Sequence, residues 1–176
     1  INIPSNSIHV GGGRDNVITN NIIVNPGNNA LRFDDRAREG ALENGWFTHA
    51  YVDSGDMWDA LYNSPWQSET WQNAFPEYKN CTDDISKSDS PDYIPNPAST
   101  FKNNIIINKN MGYGDVYSSV WKFSDISENA IYNVGKCDKI FVDIDNGDYN
   151  IKDIDEIRKD APDFEEIPLD MIGRVS

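Results

Sequence analysis

The sextet NNIIVN at Asn20–Asn25 returns as NNIIIN at Asn103–Asn108, and a reduced form, NAIYN, stands at Asn129–Asn133. Each carries three mostly aliphatic residues between asparagines. A strand of three is well short of the usual five or six or so, so it holds only when neighbours stack on it. The last two frames begin at Asn104 and Asn129, a spacing of 25. Self-similarity at such a period marks a solenoid, in which each repeat is one small unit that buries its apolar face only against the next.

A second column points the same way. SIHVGG (Ser7–Gly12) and ALRFDD (Ala30–Asp35) lie 23 residues apart, and VWKFSD (Val120–Asp125) has the same pattern. Strand alternation sends Ile8, Val10, Leu31, Phe33, Trp121 and Phe123 to one side, and His9, Arg32 and Lys122 to the other. Two different short strands recurring every 23–25 residues predict an all-β solenoid with three strands per turn. The asparagines suit its corners, because Asn accepts positive φ better than other non-glycine residues. Stacked at one corner, their amides can also bond to each other as a ladder.

Between Asp35 and Thr100 the strand rhythm stops. The expected division is coils over 1–35, a helical insertion over 36–100, coils over 101–146 and a C-terminal cap over 147–176. Within the insertion, Met57, Trp58, Leu61 and Tyr62 have helical spacing. A second helix is predicted with Ser64 as N-cap, Pro65 in its first turn and Gln67 completing a capping box, and with Trp71 and Phe75 on one stripe. Pro76 stops it, and a polar, proline-punctuated stretch brings the chain back. The insertion is expected to fold over one strand face. The tail is expected to run along the last coil and cover its open end.

The net charge of −14 and pI near 4.3 work against nucleic acid and anionic lipid as partners. No apolar run approaches the roughly 20 residues of a membrane span. Cys81 and Cys137 are too few for a disulfide framework and neither sits in a CxxC, and with 2 histidines a zinc site is not expected. Asn80–Thr82 matches a glycosylation sequon. The opening at Ile1 has no leader pattern and is read as a point within a longer parent.

The segments GGGRDNVITNNIIVN, FKNNIIINKN, ISENAIYNV and the closing DFEEIPLDMIGRVS resemble the right-handed parallel β-helix proteins of the pectate-lyase-like superfamily. The likeness is greatest to the C-terminal part of secreted bacterial β-helix repeat proteins. It covers most of the chain, and it is specific for fold and weak for activity. It implies a secreted or cell-surface location and polysaccharide or oligosaccharide as partner, with the parent a glycoside hydrolase or polysaccharide lyase. The alternative is a non-catalytic carbohydrate-binding or surface-structural module. A third reading places catalysis in coils upstream. A monomer is expected.

GGGRDN matches neither GxxxxGK[ST] nor GxGxxG before a helix, so its glycines read as a coil corner. Gly11 and Gly12 fall beside Asp34 and Asp35 in the repeat and are expected to leave a hollow there. The segment LRFDDRAR is the candidate site. Asp34 and Asp35 are the catalytic candidates, since carboxylates serve acid–base chemistry. Adjacent strand residues point to opposite sides, so the two do not automatically form a pair. His9, Arg32, Arg36 and Lys122 are candidates for binding charged sugar through charge-assisted hydrogen bonds, and Trp46 for stacking on a sugar ring. The competing structural reading is a surface salt-bridge lattice. No cofactor is expected. The acidic run Asp143–Asp153 fails the calcium-loop spacing, which leaves Asp34, Asp35 and Asp125 as the calcium alternative.

Overall fold

The computed structural model describes residues 1–39 and 63–169. Three parallel sheets of three strands carry the architecture. Sheet A is β1 (Ile8–Gly11), β4 (Leu31–Asp34) and β7 (Gly114–Val116); sheet B is β2 (Val17–Thr19), β5 (Thr100–Lys102) and β8 (Asp125–Ser127). Sheet C is β3 (Ile22–Val24), β6 (Ile105–Ile107) and β9 (Ala130–Tyr132). The chain visits A, B and C in order three times, and every strand pairs in parallel with its counterpart one turn away. This is a parallel β-helix-like stack of three coils.

The Asn-Asn pairs divide two tasks at the corner between sheets B and C. The first residue turns the chain: Asn20 and Asn103 have φ of 59° and 52°, and Glu128 takes that place in the third coil with φ 51°. The second residue forms the ladder. Asn21 donates through its backbone N–H (3.0 Å) and Nδ2 (2.9 Å) to Oδ1 of Asn104, which donates identically to Oδ1 of Asn129. Asn104 is completely buried. Shorter ladders, Asn25 to Asn2 and Asn29 to Asn6, mark the corner between C and A.

Alternation fills the interior with Leu31, Phe33, Phe101, Ile106 and Ile23. Sheet C is unusual in being buried on its outer face as well. There Val24, Ile105, Ile107 and Tyr132 pack against Ile140, Phe141, Ile157, Ala161 and Phe164. These partners come from α4 (Cys137–Ile140), the antiparallel hairpin β10 (Phe141–Asp143) and β11 (Asp148–Ile151), α5 (Ile154–Arg158) and the chain that follows. A strand covered on both sides reads as an unbroken apolar run, which explains Ile105-Ile106-Ile107. The C-terminal segment therefore covers a side of the stack, where an end cap was expected, because the outward side chains of sheet C are apolar. It crosses the coils in turn: Tyr132 donates its hydroxyl to Asp160 (3.1 Å), and the N–H groups of Asp163 and Glu165 donate to Oδ1 of Asn103 (3.1 Å) and Asn20 (2.8 Å).

Two expectations for individual elements also fail. VWKFSD is not the third strand of sheet A: Ser118–Phe123 is helix α3, filling the corner between β7 and β8. The place belongs to Gly114-Asp115-Val116, paired with Leu31-Arg32-Phe33. Gly114 is needed there, since its φ is +119° and a Cβ would lie 2.4 Å from Asn29. Nor does Ser64 cap a helix. Ser68 caps α2 (Glu69–Ala74), accepting from the Trp71 N–H at 3.2 Å. The aromatic stripe is present, with the Trp71 and Phe75 rings 5.2 Å apart, and Pro76 opens a short 3-10 helix after α2. Met57, Trp58, Leu61 and Tyr62 lie outside the described residues.

The insertion leaves after β4 through the short helix α1 (Arg36–Glu39) and returns at β5, at the corner between A and B. Its described part is anchored at that corner, where a strand face was expected to hold it. The Asp15 N–H donates to Ala98 O (2.7 Å) and Arg14 to Pro91 O (3.2 Å), and within the insertion Arg38 donates to Ser88 O (2.7 Å). Among the described residues no helix is long and apolar enough to cross a membrane.

Candidate functional site

The outer face of sheet A carries the charged residues picked from the sequence. Register aligns His9, Arg32 and Asp115 in one column and Gly11 with Asp34 in the next. Tyr117 continues the second column, one step beyond the Phe33–Val116 pair, with its N–H donating to Phe33 O at 3.1 Å.

Asp34 is the centre of this face. Its side chain is only 6% exposed, yet it accepts from Arg36 through Nε (2.9 Å) and Nη2 (2.6 Å), and from His9 Nε2 at 3.4 Å. Burial alone would push its carboxyl up, but the hydrogen bonds from Arg36 and His9 outweigh it and hold the group below the usual carboxylate range. This favours the ionised carboxylate, which orients Arg36 and His9 and balances the charge of the guanidinium.

The expected hollow beside Asp34 is filled by Arg36. A Cβ on Gly11 would stand 3.2 Å from the Arg36 Cζ, and one on Gly12, whose φ is +78°, would stand 2.8 Å from Cγ. The glycines thus give Arg36 a bed along which it reaches back to Asp34. Its guanidinium remains about half exposed.

The other candidates separate. Asp35 accepts from the Ser119 hydroxyl on α3, so the adjacent carboxylates have different partners and do not act as one pair. Arg32 approaches Asp115 at 3.5 Å. Lys122 lies on α3, bonded to Asp89 at 2.8 Å, and not in the column with His9 and Arg32, because the strand it was assigned to is a helix. Trp46 lies outside the described residues. The calcium alternative does not assemble: Asp125 sits in sheet B with Lys102 (3.3 Å) and the Ser127 hydroxyl. Among the described residues no group of three or more His, Cys, Asp or Glu is placed to hold a metal ion.

Sequence reasoning missed Asp115 and Tyr117. The signal was the offset between coils: Asn21 to Asn104 is 83 residues, and the same offset carries Leu31 to Gly114 (114 − 31 = 83). VWKFSD drew the alignment away because its apolar alternation imitates a strand better than GDV does.

No family model, no curated protein and no solved structure matches this chain.

Proposed function

We propose that this chain is part of a secreted right-handed β-helix protein of the pectate-lyase-like type, and that the outer face of sheet A binds polysaccharide bearing acidic groups. One observation carries the reading. In a chain of net charge −14, His9 and Arg36, each about half exposed, stand beside the buried Asp34 carboxylate, and Arg32, paired with Asp115, lies next to His9 in the strand register. A guanidinium suits the planar carboxylate of a sugar acid. Extended parallel strands offer such donors at the regular spacing that a linear polymer needs. In the parent, hydrolysis or elimination on that polymer is the activity proposed, with Asp34 as base or as the group that holds Arg36.

A second reading, non-catalytic binding or surface structure, is favoured by the saturation of Asp34: Arg36 and His9 occupy both of its oxygens. One assay separates the two. The chain is titrated against plant, algal and host glycans, acidic and neutral, and each mixture is followed for near-ultraviolet absorbance and for new reducing ends. Absorbance shows elimination, and reducing ends alone show hydrolysis. Binding without either product gives the non-catalytic reading. Absence of binding to every acidic glycan overturns the proposal.

A further inference from the structure

Among the described residues the exposed aromatic side chains Phe75 and Trp121 pack against neighbouring rings. Phe75 is 43% exposed but packs between Trp71 and Tyr78, and Trp121, 47% exposed, meets the Tyr113 ring edge-on at 5.4 Å. Tyr117 is 38% exposed, and among the described residues its ring meets no other ring and no cation. Nor does its hydroxyl form a hydrogen bond to another described residue. Neither ring pairing nor a side-chain hydrogen bond among the described residues accounts for this side chain.

Its position does. Tyr117 precedes α3 in extended conformation, with φ −69° and ψ 153°. Strand alternation therefore persists to it: Val116 turns into the core, while Asp115 and Tyr117 turn outward. Register then sets Tyr117 one strand away from Asp34, on the side opposite Gly11, within electrostatic reach of Arg36. With strands about 4.8 Å apart, the exposed ring and the exposed guanidinium, which lies over Gly11, flank Asp34 from opposite sides, two strands apart. Sugar rings present flat C–H faces to aromatic rings while their acidic and hydroxyl groups seek charged donors at the edge.

Resting on the reading above, we infer that Tyr117 is the ring-stacking residue of the site: it carries the sugar face, while Arg36 takes the acidic group at the sugar's edge. Glycan specificity then depends on Tyr117 as well as on the cations. Trp121 turns instead to Tyr113.

The test uses the whole 176-residue chain and the acidic glycan that binds it best. Tyr117→Ala should weaken binding about tenfold, a loss on the order of 1.4 kcal/mol. Tyr117→Phe should stay within about twofold, since the ring face is kept. Phe75→Ala, on the insertion, should bind as the wild type does, and circular dichroism of each variant reports whether it is folded. Wild-type affinity in a folded Tyr117→Ala variant, with Arg36→Ala weakened, overturns the stacking role and leaves the polysaccharide reading standing. Equal losses in Tyr117→Ala and Tyr117→Phe also overturn it, because the hydroxyl and not the ring would then matter. Failure of the wild type to bind any acidic glycan overturns both readings.

Discussion

At the scale of the residue, Asp34 shows how one buried carboxylate organises a surface. It is paired on one side with a guanidinium lying along two glycines and on the other with an imidazole. Replacing it with Asn removes the charge and keeps the shape, at an expected cost of about 2 kcal/mol. The pH dependence has a definite sign. The folded-state pKa lies below the ordinary 3.8, so the stabilisation is complete above the unfolded value and is lost as pH falls through the folded one. The urea midpoint of the wild type should exceed that of Asp34→Asn above about pH 4, and the two should converge below it. A gap that persists undiminished to pH 2 would show that the charge is not what stabilises.

At the scale of the element, the corner between sheets B and C is where this fold is won or lost. Asn104, in the middle of the ladder, accepts from the Asn21 backbone and side chain and donates to Asn129, Ile18 O and Lys102 O. Asn104→Ala leaves several buried partners unsatisfied and should cost about 3 kcal/mol or more. Asn21→Ala, at a half-buried rung where water can substitute, should cost about 1 kcal/mol. Equal denaturant midpoints for the two variants would refute the ladder as a cooperative element. This corner was legible in the sequence, because a side chain that must repeat its hydrogen bonds every coil must also repeat its identity. The next corner was not. Between sheets A and B the three coils carry a glycine turn, the long insertion and a helix, so no residue recurs in step. The alternation of Trp121 and Phe123 then imitated a strand, and Asp115 and Tyr117 were lost from the candidate site with it. Ser64 misled in the same way: a serine four residues further on, Ser68, makes the cap bond, and local pattern does not choose between them.

At the scale of the whole molecule, the C-terminal segment is the second layer that lets an all-aliphatic strand exist. Deleting residues 153–176 removes Ile157, Ala161 and Phe164 from sheet C and bares Ile105, Ile107 and their neighbours. The truncated chain should bind a hydrophobic dye and self-associate, as exposed apolar sheet surface does. A truncated chain that stays monodisperse, dye-free and as resistant to urea as the full one would show that the layer is dispensable. The insertion has the opposite character. It enters and leaves at one corner, and β5 still pairs in register with β2 across an 83-residue interval, as β8 does with β5 across 25. Loop-closure entropy grows only with the logarithm of length, so the longer interval costs about 1 kcal/mol more than the shorter, and doubling it again would add roughly 0.6. That corner is a port: chain of almost any length can be spliced in beside Asp34 and Arg36, so the surroundings of that patch can be rewritten while the coils stay as they are.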